Sequence, residues 1–345
     1  MKPLRLIAIG IFASAAMAAV AIAYDRVTYL RIATGSAGDS VFRAAEIIAS
    51  SISQPPGAPP CDDGGRCGVP GLIAIAQSAN SVLANIEAVE EGRIESALVR
   101  ADIAHWAFHA EEAFFGRKPF RNLRLVASLY DERYHLVVAN ASSVKSVRDL
   151  KGLKVAVGAE GSATRIGAER LLAAHGVRKR DIKRSMSGSG HAADLLKAGI
   201  IDALIISAPV PSPIVKELLA EGVGRLVPFD PAAVAIMGEG RPYYRTDQIE
   251  VATYNNSHAL PTLAVSAQWI VNRKVDDGLV FQATWALWHQ GNRQFMDIAQ
   301  LAYGSFDLQR ALPAGAIWVH PGAYRYYEQH GLADLAAVSS GAGAQ

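Results

Sequence analysis

From Val27 onward, two kinds of apolar segment alternate along the chain. Tyr29–Ile32, Leu72–Ala76, Ser96–Val99, Val155–Val157 and Asp202–Ile206 are short apolar runs bounded by turn residues, and predict strands. Val41–Ser51, Ser81–Glu90, Ile103–Phe114, Gly167–His175, Ala192–Ala198 and Ile214–Ala220 repeat apolar residues at three- and four-residue spacing, and predict helices. This strand–loop–helix rhythm builds a parallel sheet covered by helices. It breaks once. Apolar Leu123–Leu129 runs through a polar, aromatic middle, Tyr130-Asp-Glu-Arg-Tyr-His135, into Leu136–Ala139. Two strands joined in this way predict a crossing between domains, with Tyr130, Tyr134 and His135 as candidate cleft walls. Ser146-Val-Arg-Asp149 has the form of a capping box, after which the alternation restarts and ends in a helical run over Val280–Gln300. Two βα arrays in sequence, with a return segment, predict a bilobed α/β protein. The tail Ser339–Gln345 is expected to fray.

Each array contains a glycine loop after an early strand, Thr34–Gly38 in the first and Gly158–Arg165 in the second. A helix opening on Gly161, Ser162, Ala163 and Thr164 offers unpaired backbone N–H groups, two hydroxyls and the positive end of its dipole to an anion. Arg165 adds a guanidinium suited to a carboxylate or phosphate. The same residues also fit an ordinary capped connection between strand and helix. In open α/β sheets ligands sit at the carboxyl ends of strands, so two such edges meeting across a hinge make a cleft.

The first residues indicate export. Lys2 and Arg5 precede an uncharged apolar run from Leu6 to Ala23, with small-x-small patterns at Ala16–Ala18 and Ala21–Ala23. This is a secretory signal pattern, read here as residues 1–23; the alternative is an uncleaved anchor. Removing it takes two positive charges and no negative ones, so the formal charge of +2 falls by two to zero. A near-neutral chain lacks the electrostatic footprint of a nucleic-acid binder. Cys61 and Cys67 are the two cysteines, in a Pro/Gly-rich loop. No histidine lies nearby to complete a zinc site, and in an oxidising compartment the pair is expected to bond, contributing at most about 3 kcal/mol.

Other chemistry is weaker. His105 and His109 have metal-ligand spacing, but Trp106 and Phe108 make their helix read as packing. Ser142–Lys145 contains Ser-x-x-Lys without its partner motifs, and Ser187–Gly190 lacks the spacing of a nucleophile elbow and reads as a turn. Asp102 fits either a helix N-cap or a ligand contact. No nucleophile–base pair, metal cluster or cofactor motif stands out, so neither catalysis nor a cofactor is expected.

Several segments, taken in order, resemble one family. They are Leu30–Gly38; Gly68–Gln77 with Asn80 and Asn85; Ala101-Asp102; Leu129-Tyr130 and His135–Val138; Asp149–Gly152; Gly158–Arg165; Asp202-Ala203; and His320–Tyr327. Together they resemble the TAXI-type solute-binding subunits of TRAP transporters. The resemblance implies a two-lobed periplasmic-binding-protein type II fold, with a hinge and an inter-lobe ligand cleft. It implies a periplasmic, monomeric receptor without catalytic residues that captures a small organic anion, glutamate-like or another carboxylate, and docks on membrane permease subunits. Lobe 1 would comprise residues 24–136 and 260–345, and lobe 2 residues 137–259. The expected ligand contacts are Thr34, Gly35, Ser36, Phe42, Asn80, Ser81, Arg100, Asp102, Tyr130 and Pro209, beside Gly161–Arg165. Closure would hinge near Tyr134–Ala139 and Tyr254–Ala264.

The chain departs from that pattern at Asp39-Ser-Val-Phe42, at Ser81-Val82 and at Arg100, where the family tends to carry other residues. Apolar Val41 and Phe42 predict fewer polar contacts on the first wall. Arg43, Arg100 and Arg165 together would favour a ligand with two acidic groups, or an acid with an apolar tail. Alternatively Arg43 faces solvent and Arg100 pairs with Asp102 or Glu95. Two other functions compete with transport: a binding protein that reports to a signalling partner, and an enzyme built on the same fold.

Overall fold

Strand β1 (Thr28–Ala33) begins the first array, followed by α1 (Ser40–Ile52), the short β2 (Ser53–Gln54) and β3 (Val69–Pro70), β4 (Leu72–Gln77), α2 (Val82–Glu90), β5 (Ser96–Arg100) and α3 (Ala101–His109). The long β6 (Leu123–Ala139) leads to the second array: β7 (Lys154–Ala156), α4 (Ala163–Ala174), β8 (Lys183–Ser185), α5 (Ser189–Lys197), β9 (Ala203–Ala208), α6 (Pro213–Ala220), β10 (Gly224–Val227) and α7 (Pro231–Gly238). The return is made by β11 (Tyr244–Ile249) and β12 (Leu260–Asn272), and the chain ends in α8 (Asp277–Trp288) and α9 (Pro321–Gln329). The computed structural model describes residues 27–35, 40–79, 81–292, 297, 306–313, 315 and 317–332. The signal-like segment 1–23, the tail, Ser36, Asn80 and part of the Val280–Gln300 run lie outside the described residues.

Among the described residues, ten strands form one sheet, eight of them along the path β4-β1-β5-β12-β6-β9-β7-β8, with β10 paired to β6 and β11 to β12. The expected α/β, two-lobed architecture is present. In the first lobe β1 pairs in parallel with β4 and β5; in the second, β7 pairs in parallel with β8 and β9. Strands β6 and β12 join them and change partners along their length. Along one edge β6 pairs with β12 over Leu123–Arg133 and then with β10 over Leu136–Ala139. On the other edge, Arg133–Val138 pairs with β9.

The crossing differs from the expected two strands with a break between them. It is one continuous strand of 17 residues, and its polar middle is nearly all buried. A buried extended backbone needs hydrogen-bond partners on both sides: β12 flanks the first half and β9 and β10 the second, while on the other edge of the first half Leu125 and Ser128 donate to the carbonyls of Trp318 and Ala311. Other boundaries also shift. Helix α3 stops at His109, where Ala110 takes a left-handed conformation, and a separate 3-10 turn covers Glu112–Phe114. Ser187–Gly190 is not only a turn, because Ser189 opens α5. At the capping box the Asp149 carboxylate accepts from the backbone N–H groups of Lys145 and Ser146, as expected.

Cys61 and Cys67 are bonded to each other. Their loop is tied down by buried Asn292, whose Oδ1 accepts from Cys67 N at 3.1 Å and whose Nδ2 donates to the carbonyls of Ser51, Cys67 and Ala286. Among the described residues no helix is long and apolar enough to cross a membrane.

His135, fully buried on β6, has its Nε2 3.0 Å from the Tyr254 hydroxyl, and burial lowers its pKa to about 4. The unfolded chain takes up this proton near pH 6.5, the native protein only near pH 4. Stability from this group is therefore complete above about pH 6.5 and is lost on acidification through that window, by up to about 3 kcal/mol. In urea melts across this range, His135→Gln should flatten the pH dependence. An unchanged pH slope in the variant would assign the effect to other groups.

Candidate functional site

A cleft of about 180 Å3 lies between the two lobes, walled by the ends of β5 and β9 and by the glycine loop before α4. Backbone geometry requires that loop's glycines. Gly158 has φ +105°, and a Cβ there would lie 2.8 Å from Arg165 N; Gly161 has φ +74°. The chain can then enter α4 with Ser162 as N-cap. Its Oγ accepts from Arg165 N at 3.2 Å and donates to Ala159 O at 2.7 Å. Ala163 and Thr164, the first helical residues, both line the cleft. Helix geometry leaves their N–H groups without an intrahelical acceptor, so the positive end of α4 opens on the cavity.

Opposite is a carboxylate that sequence reasoning passed over. Glu132, in the middle of β6, lines the cleft and is only 3% exposed. Its Oε2 accepts from Ser207 Oγ on β9 at 2.8 Å, and its Oε1 from Ser40 Oγ at the start of α1 at 3.3 Å. One residue of each lobe therefore holds it. The signal for it was the acid placed between two apolar strand halves, where an exposed loop carboxylate would not be found.

Arg100 also lines the cleft, yet it is largely occupied behind it. Its Nε and Nη2 form a bidentate pair with Asp102, and Nη1 donates to Tyr134 Oη. Asp102 is fully buried; it also accepts from Ile103 N at 2.9 Å and from Tyr244 Oη at 2.8 Å. Burial works against the Arg100 charge. Asp102 and then Tyr134 outweigh it and hold the guanidinium protonated well above its ordinary range. Burial pushes the Tyr134 and Tyr244 phenols up, keeping both neutral.

The structure brings Gly35, Arg100, Gly161, Ser162, Ala163, Thr164 and Pro209 together on the cleft lining. Thr34, Phe42, Ser81, Asp102, Tyr130 and Arg165 are off it. Thr34 is buried, its carbonyl accepting from Asn85 Nδ2 at 2.6 Å, and Ser81 caps α2. Tyr130 packs near the Phe306 ring, and Asp102 is held as described. Arg165 sits 3.9 Å from Glu169, one helical turn on, so the expected guanidinium of the anion seat is turned to its own helix. The expected cluster of three arginines reduces to two. Arg43 is exposed on the lining, and Arg100 takes the alternative pairing with Asp102; Glu95 pairs instead with Arg31 at 2.6 Å. Tyr134 and His135, proposed as walls, are buried in bonds to Arg100 and Tyr254.

The lobes also touch each other directly. Val82 N donates to Gly161 O at 3.1 Å, joining the start of α2 to the second glycine loop. Arg170 on α4 pairs with Glu112 at 2.5 Å and lies over the Trp106 ring at 5.0 Å. His105 and His109 stack at 4.4 Å, and burial lowers the pKa of both. Among the described residues, one cluster has metal-ligand proximity: Cys61, Cys67 and His289. Both of its sulfurs are spent in the disulfide, so the group does not fit a metal.

A profile described as NMT1-like family matches residues 32–331. Among solved structures, the chain is similar to the alkanesulfonate-binding protein SsuA of Xanthomonas axonopodis pv. citri bound to MOPS, at 18% identity, over 79% of this chain and 78% of that one, with a TM-score of 0.44. It is similar to PhnD1 of Prochlorococcus marinus in complex with methylphosphonate, at 12% identity, over 88% and 98%, with a TM-score of 0.48. An ancestral arginine-binding protein bound to arginine matches at 17% identity, over 80% and 98%, with a TM-score of 0.46.

The Arg100–Tyr134 contact leaves no room on α4. A Cβ on Gly167 would lie 1.7 Å from Tyr134 Oη and 2.8 Å from Arg100 Nη2. Both side chains are buried and bonded, so neither can move aside. Gly167→Ala gains up to about 1 kcal/mol of helix propensity, but the overpacking should exceed this and destabilise the protein by about 1–3 kcal/mol net. Chemical denaturation would show it. A variant as stable as the parent, or more so, would mean that the two side chains relax freely.

Proposed function

We propose that this chain, which belongs to the NMT1-like family, is an extracytoplasmic solute-binding receptor that closes on a small organic anion and delivers it to a membrane permease. The observation that carries this reading is the inter-lobe cleft onto which Ala163 and Thr164 present the N-terminus of α4. Backbone donors with an aligned dipole bind a carboxylate, phosphate or sulfonate oxygen without a formal charge from the protein. Strands β6 and β12, which serve both lobes, give a hinge. The partner change on β6 at Arg133 supports lobes of residues 24–136 with 260–345, and 137–259. Contacts such as Val82–Gly161 and Arg170–Glu112 are of the kind that form on closure. The ordered motifs shared with TAXI-type subunits favour a TRAP-type permease as partner, with export directed by residues 1–23.

Mass spectrometry of the small molecule retained by the purified protein identifies the ligand class. Ala163→Pro then tests the seat. Proline is tolerated at the first position of a helix and removes one N–H, so the fold should be kept. Loss of one hydrogen bond to a charged group should weaken an anionic ligand by about 1.5–3 kcal/mol in calorimetry. Unchanged affinity in a folded variant would remove α4 from the binding site, and a retained cation or neutral sugar would refute the anion reading.

A further inference from the structure

One end of lobe 2 is strongly basic. From Lys145 to Arg184 the chain has eleven Lys and Arg against four Asp and Glu, a formal charge of +7. Residues 24–345 as a whole are neutral, so the rest of them carries −7. The fold gathers much of the positive charge at one end of the sheet. Strands β7 and β8 start side by side with Lys154 facing Lys183, and Gly152 N donates to Asp181 O at 2.7 Å, joining the turns that precede them. The cleft lies at the other end of the same strands, where Ala159–Thr164 follow β7 and Ser189 follows β8. The acids near the basic end are engaged: Asp181 with Arg178, Glu169 with Lys179 and Arg184, Asp149 in its capping box, and Asp202 with Lys154 N. Arg148, Lys151, Lys154, Arg180 and Lys183 are exposed and make no ion pair among the described residues. Lysine on an edge strand discourages edge-to-edge pairing, which accounts for Lys183. It does not account for Lys154, whose strand is paired on both sides, because like charges at facing positions work against a sheet. Beside them Ile200 is 51% exposed, in the turn before β9 from which Asp202 N donates to Lys154 O at 2.9 Å.

We infer that this end of lobe 2 is a contact surface for an anionic phospholipid membrane. Long Lys and Arg side chains reach lipid phosphates in many geometries, so the contact needs no shaped pocket, and each one near the surface strengthens binding about fivefold. An exposed aliphatic side chain among the cations suits the boundary between headgroups and acyl chains better than a purely acidic protein face. The separation of charge along the molecule orients it, with the basic end toward the bilayer and the acidic remainder away from it. The cleft, at the opposite end of β7 and β8, is left uncovered. This contact is therefore separate from solute capture and goes beyond the receptor reading, whatever the cleft binds.

Co-sedimentation of the full exported protein with lipid vesicles tests it, using phosphatidylcholine alone and phosphatidylcholine mixed with phosphatidylglycerol. The protein should sediment with the mixed vesicles only, and added salt should release it. The triple variant Lys151→Gln, Lys154→Gln and Lys183→Gln should bind the mixed vesicles at least about tenfold more weakly. A control triple, Lys118→Gln, Lys216→Gln and Lys274→Gln, removes the same charge from exposed lysines elsewhere and should bind like the parent. Equal losses in the two triples would reduce the effect to net charge and overturn the inference. So would equal binding to both kinds of vesicle. Binding to neither would also overturn it, and retention on immobilised poly-glutamate would then point to an acidic protein partner instead. Should the first triple not fold, the single variants Lys151→Gln and Lys183→Gln take its place, each expected to weaken binding about twofold or more.

Discussion

The structure depends on how a run of polar and aromatic side chains, Tyr130 to His135, is accommodated inside an extended strand. Burying these groups without partners would cost several kcal/mol in all, and the partners are supplied from both lobes and the return segment. Side chains alternate across a strand, and the contacts divide accordingly. Asp131 accepts from Arg245 and Arg310, each at 2.6 Å; Arg133 pairs with Asp247 at 2.9 Å; and His135 meets Tyr254. Glu132 accepts from Ser40 and Ser207, and Tyr134 accepts from Arg100. One set ties β6 largely to the return segment, the other to the cleft and the walls around it. Burial opposes the Asp131 charge, but Arg245 and then Arg310 keep its pKa below the usual range. The crossing strand is thus both a structural spine and the floor of the candidate site.

The same network reaches the cleft lining. The return-segment hydroxyl of Tyr254, which meets His135, also accepts from Ser212 N at 2.5 Å, and Ser212 lies on the cleft lining just before α6. The links between the lobes differ in kind: Tyr244 bonds buried Asp102, whereas the Arg170–Glu112 pair is partly exposed, and pairs of that sort contribute roughly 0–1 kcal/mol.

Arg100 shows how misleading a count of charges can be. It reaches the cavity, but the bidentate pair with Asp102 and the contact with Tyr134 make it part of the wall. A buried pair of this kind is retained only with good geometry and additional hydrogen bonds, and Tyr244 and the Ile103 amide complete them on the Asp102 side. The positive potential available to an anion then falls mainly to the N-terminus of α4 and to exposed Arg43.

Most elements of the two arrays, the bonded cysteines and the glycine loop that opens α4 were legible along the chain, because they follow from local periodicity, turn chemistry and short-range spacing; α7, β11 and β12 were not. The sequence could not show that Leu123–Ala139 is one strand, since its polar middle reads as a break until β12, β9 and β10 are seen to flank it. Short strands such as β8 and β10 were invisible for the same reason: their pairing is supplied by distant neighbours. At the site, Gly161–Thr164 could be read from a local cap, whereas Glu132 could not. It took the folded chain to show that Arg165 turns to Glu169 and that Glu132 lines the cleft, and to choose Asp102 over Glu95 as the partner of Arg100. The direction of a charged side chain is set by which partners the fold brings within a few ångströms, and no spacing along the chain encodes that.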